Sequence, residues 1–311
     1  MARTIRNWLK DFVRHRPELY VLYHFGRVIK RQQLVFIDYP VSPKARYGYG
    51  KPPHSDLYKL IAKDRDGYKT TLEKFREFRD SLLKISTHAT SPLEPSWANA
   101  WLSPFDMLSL YCLVALNHPH KYVEVGCGMS TLVAARAVRD QHLQTRIISI
   151  DPQPRSEIDR LCDSIVRQPL EKVELGIFDQ LAPGDILFVD SSHRVFTNSD
   201  VTVLFLDVLP RLQPGVLVHL HDIFLPYDYP PEWRDRYYSE QYMLAGTLLA
   251  QGPKFRVALP NAFIAGDREL SAVMAPLWCD PLFAPDLQPD ERSLPAADRS
   301  GKGTSFWMRT T

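Results

Sequence analysis

The chain has 311 residues, of which 45% are hydrophobic and 24% charged, and its net charge is +2. That is the composition of an ordinary globular protein, and it excludes a strongly basic polyanion binder and a low-complexity disordered chain. No apolar run reaches the roughly 18 residues of a membrane span, and no signal-peptide pattern opens the sequence.

The four cysteines (Cys112, Cys127, Cys162 and Cys279) are widely scattered. They fit neither a zinc site nor a disulfide framework, and they suit a reducing cytoplasm. Charge is uneven along the chain. Residues 1–31 carry eight Lys or Arg against Asp11 and Glu18. Within this arm Ile5, Trp8, Leu9, Phe12 and Val13 recur at helical spacing, with Arg6, Lys10 and Arg14 on another face. Such a basic amphipathic helix either lies on an anionic membrane surface or packs on protein, on this chain or on another copy in a homo-oligomer.

Residues 1 to about 100 read as mainly helical. Tyr68, Leu72, Phe75, Phe78 and Leu82 mark one face of a helix near 67–85. Before it lies a Pro/Gly/Tyr-rich loop, "YPVSPKARYGYGKPPHS". Ser103-Pro104 predicts a helix start, with Ser as the cap and Pro in the first turn. The helix that follows, "FDMLSLYCLVALNH", is apolar enough to be buried.

From residue 121 strands and helices alternate. "KYVEVGC", "RIISIDP", "VELGI", "DILFVDSS", "GVLVHLHDIF", "KFRVALP" and "TSFWMRT" read as seven strands in chain order. Helices are expected over "STLVAARAVRDQ", 155–167, "SDVTVLFLDVLPRL" and "YYSEQYMLAGTLLAQ". Repeated strand–helix units with near-continuous apolar strands predict an α/β fold, a mostly parallel sheet covered on both faces. The reading is therefore a helical extension over 1–100 and an α/β domain over 101–311. A Pro-rich surface insertion is expected near 274–303.

"EVGCGMST" joins the first strand to its helix. Gly126 and Gly128 let the backbone turn tightly and approach a ligand. The dinucleotide fingerprint asks for a third glycine where this chain has Thr131, and Glu124 stands two residues before the first glycine. A short, acid-led turn suits a cofactor without pyrophosphate. Asp151 ends the second strand, where a carboxylate accepts hydrogen bonds from ribose hydroxyls. The plainer alternatives are a tight turn for the glycines and a helix cap for Asp151.

"VEVGCG" followed by "ISIDP", "DILFVDSSH" and "LQPGVLVHLHDIF", in that order, resembles the class I S-adenosylmethionine (SAM)-dependent methyltransferases over roughly residues 95–260 and the last strand. The resemblance implies a doubly wound Rossmann-like seven-stranded sheet in the order 3-2-1-4-5-7-6, with the seventh strand antiparallel. It implies that Glu124, Gly126, Gly128 and Ser130 line the methionine side of the cofactor. It also implies that Asp151 holds the ribose, and Asp179, after the third strand, the adenine.

Asp190 and His193 follow the fourth strand, and His221 and Asp222 end the fifth. Ligands bind outside the carboxyl ends of such strands, and neighbouring strands are about 4.8 Å apart, so these side chains are expected to meet. Two chemistries suit them. In one, Asp190, His221 and Asp222 hold a divalent cation that lowers the pKa of an acceptor hydroxyl. Relatives place an acid where this chain has His221, which weakens the case for magnesium. In the other, His193 or His221 is a general base beside Asp190, with no metal. His219, deeper in the strand, reads as a core histidine.

The stretch 224–242 holds seven aromatic residues and is expected to form an acceptor wall, with Trp97 and Trp101 opposite. The function so read is O-methylation of a small-molecule or sugar hydroxyl, with no nucleic-acid partner. The alternatives are a catalytically inactive SAM-binding scaffold and an NAD-type oxidoreductase.

Overall fold

The computed structural model describes residues 39, 41–154, 157–250, 254–283 and 303–311. The basic arm over 1–31 and most of the Pro-rich stretch, 284–302, lie outside the described residues. The compact unit that contains the sheet runs from Lys44 to Thr311. Among the described residues no helix is long and apolar enough to cross a membrane.

Seven strands form one sheet: β1 (Lys121–Val125), β2 (Arg146–Ile150), β3 (Ser164–Val166), β4 (Ile186–Val189), β5 (Leu217–Leu220), β6 (Phe255–Pro260) and β7 (Phe306–Thr310). Their order is β3-β2-β1-β4-β5-β7-β6. All pairs are parallel except those made by β7, which is antiparallel to β5 and β6. The order is the one expected, and its switch point falls between β1 and β4, where chain direction through the sheet reverses.

The central strands are apolar because both faces are covered. Every residue of β4 and β5 is buried, including His219. Helix α1 (Ser55–Ala62) and helix α2 (Arg65–Phe75) come before the sheet in sequence but belong to its core. Leu57, Ile61, Tyr68, Leu72 and Phe75 are all buried in the same apolar cluster as the strands. Residue 100 is therefore not a structural boundary, because the helices before it complete the core. Helix α3 (Pro104–Asn117) starts as predicted, with the Ser103 hydroxyl accepting from Asp106 N at 3.1 Å.

One strand lies elsewhere than expected. β3 is Ser164–Val166, inside the stretch 155–167 read as a helix, while "VELGI" runs into the short helix α5 (Gly176–Asp179). β3 is an edge strand of three residues, with Ile165 exposed. It carries too little apolar pattern to be read from sequence. The start of the expected insertion is likewise ordered: Ala275–Trp278 is helical, and Met274 and Leu277 are buried.

Candidate active site

The turn after β1 and the loop after β4 touch through their backbones. Gly126 has φ +82, and a side chain there would place its Cβ 1.7 Å from the carbonyl oxygen of Asp190. Only glycine permits this approach. Gly128 meets no atom within 4 Å of a built Cβ, so its backbone faces open space. Helix α4 (Met129–Asp140) leaves from it. Between the carboxyl ends of β1, β2 and β4 lies a cleft of about 230 Å³, lined among others by Gly126, Asp151, Glu171, Asp190 and Ser191.

Asp151 lines this cleft. Its Oδ2 accepts from Cys127 N at 2.8 Å and its Oδ1 from Gln153 N at 2.7 Å. A carboxylate has about four acceptor positions, so two remain for a ligand. Glu124 lies behind the turn, fully buried, and does not line the cleft. Tyr122 donates to its Oε1 at 3.0 Å and the Thr131 hydroxyl donates to its Oε2. Thr131 in turn accepts from Gly128 N at 3.1 Å, so Glu124 shapes the turn through a neighbour. Ser130 is buried against the same carboxyl group. Burial raises the Glu124 pKa to about 7, despite the three hydroxyls.

Asp179 departs from the expectation. It pairs with Arg211 at 3.5 Å. The next residue's carbonyl, Gln180 O, accepts from Lys121 Nζ at 2.9 Å, at the amino end of β1. Asp179 therefore sits at the opposite edge of the sheet from the cleft. The misplacement follows from the third strand: with β3 at 164–166, the loop that reaches the cleft is Pro169–Glu171.

Beside the cleft, Asp190, His193, His221 and Asp222 come together, as their strand-end positions predicted. His193 Nε2 lies 3.2 Å from Asp190 Oδ1 and 3.5 Å from Asp222 Oδ2. His221 Nε2 lies 3.6 Å from Asp222 Oδ1, and its Nδ1 is buried without a hydrogen bond. His193 and Asp222 both adopt left-handed backbone, with φ +59 and +56. Non-glycine residues there carry a cost of about 1 kcal/mol or more and gather at functional sites.

The imidazole of His193 thus stands between the two carboxylates. A cation held by Asp190, His221 and Asp222 would need that place. Among the described residues, no three His, Cys, Asp or Glu side chains are arranged to hold a metal ion. The residues present do not fit the divalent cation that the strand-end pattern suggested.

Electrostatics follow from the packing. Burial disfavours a charge on His193, but hydrogen bonds to Asp190 and Glu240 and the nearby charge of Asp222 outweigh it and raise its pKa well above the ordinary value. Burial works against ionising Asp190, yet His221 and His193 hold its pKa below the usual carboxylate range. Burial also opposes charge on His221, while Asp222, Asp190 and Asp106 raise its pKa. His219 differs. It is fully buried, stacked on Phe188 at 3.7 Å, and its Nε2 lies 2.8 Å from the Ser305 hydroxyl. Burial pushes its pKa well down, which keeps it a neutral core residue.

One member of the cluster was not foreseen. Glu240 opens helix α6 (Glu240–Leu249), is buried, and places its Oε2 2.9 Å from His193 Nδ1. In sequence an acid in a first helical turn reads as an exposed partner of the helix dipole. Nothing local marks it as buried, because only the sheet topology brings it to a histidine 47 residues away.

Most of the aromatic stretch packs on itself. Phe224, Tyr229 and Trp233 form a buried cluster with Tyr238 against it. Tyr238 is the member that reaches the site, its ring 4.6 Å from that of His193. Trp97 is buried 4.8 Å from Phe283 and so is a core residue, whereas Trp101 is exposed.

Residues 123–223 match a family model described as a methyltransferase domain. This stretch is thus similar to methyltransferase domains. The match spans β1 to β5, and so holds every site residue named from the sequence but not Glu240. Among curated proteins, no sequence match is found. Several solved structures are similar. One is the O-methyltransferase TomG of Streptomyces achromogenes with SAM (19% identity, 65% of this chain and 86% of that chain, TM-score 0.36). Another is SAH-bound methyltransferase PaMTH1 of Podospora anserina (14%, 68% and 93%, TM-score 0.36). A third is an O-methyltransferase of Bacillus cereus with SAH (17%, 65% and 90%, TM-score 0.34).

Proposed function

We propose that the domain transfers a methyl group from SAM to a hydroxyl oxygen of a small molecule or a sugar, with His193 as the group that takes the hydroxyl proton. SAM supplies a methyl group made electrophilic by its sulfonium. Asp151 and the Gly126–Gly128 turn hold the cofactor, since Asp151 keeps free acceptor positions and Gly128 leaves backbone open to a ligand. The observation that carries the proton-acceptor reading is the position of His193 Nε2 between Asp190 and Asp222, beside the cleft.

The three groups divide the work. His193 receives the proton on Nε2 as the oxygen attacks in line. Asp190 and Asp222 stabilise the imidazolium that results, as a buried carboxylate does for a catalytic histidine. Holding the two reactants in line contributes much of the rate for a displacement of this kind. Tyr238 supplies a flat surface next to His193 on which an acceptor ring can stack.

The test is SAH release from SAM with a panel of phenolic and sugar acceptors. His193→Gln should lose at least roughly a hundredfold in kcat and bind SAH as tightly as the wild type by calorimetry. A His193→Gln enzyme of undiminished kcat would remove His193 from the chemistry. Absence of SAM and SAH binding by the wild type would overturn the whole reading.

A further inference from the structure

Glu240 is a buried acid whose known contacts serve one residue. Its Oε2 meets His193 Nδ1 at 2.9 Å, while its Oε1 is buried with no hydrogen-bond partner. A buried carboxylate is costly unless paired, and half-satisfied ones contribute little to stability. A purely structural acid in this fold is dressed differently. Asp106, equally buried, accepts from Ser103 Oγ, Asn261 Nδ2, Thr304 N and Ser305 N, all within 3.0 Å.

The main chain at the start of α6 also grips His193. Ser239 N and Glu240 N donate to His193 O at 2.8 and 3.2 Å, and Val195 N donates to Ser239 Oγ at 2.9 Å. The loop after β4 is thus fixed to the start of α6 through both backbone and side chain. The left-handed backbone of His193 directs one ring nitrogen to Glu240 and the other to Asp190 and Asp222.

We infer that Glu240 is the positioning residue of the reaction: it accepts a hydrogen bond from Nδ1–H of His193 and so fixes the ring with Nε2 turned to the acceptor. The inference rests on the proposed role of His193. A neutral imidazole carries one N–H, and the partner of one nitrogen decides which nitrogen is left to take a proton. Glu240 lies outside the stretch that matches the family model, so this support for the histidine comes from the chain's own α6.

Two measurements test it. The first is NMR of the imidazole nitrogens of 15N-histidine-labelled protein, with His193→Gln used to assign the signal. A downfield Nδ1–H resonance is expected in the wild type and should move upfield or vanish in Glu240→Gln. An unchanged resonance in Glu240→Gln, or no proton on Nδ1 of the wild type, overturns the inference whatever the acceptor is.

The second is kinetic. Glu240→Gln should lower kcat roughly ten- to a hundredfold, the usual effect of removing an orienting partner, with KM for SAM within twofold. In a His193→Gln background the same change should have no further effect, because the two act as a unit. A full additional loss there would mean that Glu240 acts independently of His193. If His193→Gln itself is fully active, the parent reading fails. If His193→Gln is impaired and Glu240→Gln is not, only the positioning role fails.

Discussion

Asp106, buried, and Asp222, partly buried, both contact Thr304 and show two ways of holding an acid. Asp106 collects donors from α3, from Asn261 and from the entry to β7, and every donor is a neutral group already in the fold. Asp222 keeps one weak hydroxyl contact, Thr304 Oγ1 at 3.3 Å, and otherwise faces two histidines. The first arrangement joins segments distant in sequence. The second leaves charge that can respond to a proton or a ligand. The two carboxylates thus differ in what they accept from as well as in how deep they lie.

The comparison can be broken most strongly at Asp106. Asp106→Ala leaves two backbone N–H groups and one N–H of the buried Asn261 amide without their acceptor, which should cost about 3–5 kcal/mol. Urea unfolding should show the midpoint falling accordingly. A stable Asp106→Ala protein with native cooperativity would show that Thr304 and Ser305 are held by something else.

Glu124 should give the next largest effect, and its sign depends on pH. Its folded pKa of about 7 lies above its unfolded value. The folded state therefore keeps the proton longer than the unfolded one. Stability associated with this group is full below about pH 4.3 and is lost as pH rises through about 7. Glu124→Gln should remove that loss and gain up to about 3 kcal/mol at pH 8 relative to its effect at pH 4. Paired denaturation curves at the two pH values check it, and equal effects at both would place the proton elsewhere.

At the active site the expected change is one of profile. Carboxylates raise the pKa of His193, so kcat/KM should climb with pH on a limb centred above about 6.5, the ordinary histidine value. Asp190→Asn removes one of those charges and should move the limb toward acid by about one unit. A limb that stays in place would separate Asp190 from His193 electrostatically. The smallest effect belongs to Asp179. Its pair with Arg211 is solvent-exposed, so Asp179→Asn should change stability by less than about 0.5 kcal/mol. SAH affinity should stay the same, and a clear weakening would restore the adenine role.

The sequence made the sheet readable wherever a strand was buried on both faces. "YVEV", "IISI", "ILFV" and "LVHL" are short apolar runs that only a covered parallel sheet explains. β3 failed that test because an edge strand needs no continuous apolar run, and the adenine assignment to Asp179 failed with it. The polar cluster was legible as far as strand ends could carry it. Asp190, His193, His221 and Asp222 lie within four residues of β4 or two of β5. Glu240 was not legible, since its burial depends on where α6 docks. The metal expectation gave way for a similar reason: residue types named plausible ligands, but the backbone conformation of His193 decides what stands between them.

The loop around residues 44–54 bears on how the protein can be divided. Asp228 accepts from Arg46 N at 2.5 Å, from Tyr47 N at 3.0 Å and from the Tyr242 hydroxyl at 3.1 Å. His54 N donates to Pro226 O at 3.0 Å. A fragment cut at residue 101, where the texture of the sequence changes, would strip the Arg46, Tyr47 and His54 donors from the aromatic loop that leads to Tyr238 and α6. It would also uncover the surface that Leu57, Ile61, Leu72 and Phe75 bury. Such a fragment should aggregate rather than report on catalysis. The smallest piece worth expressing begins near Lys44, so the segment that looks like an appendage in sequence must travel with the enzyme in any domain swap or fusion.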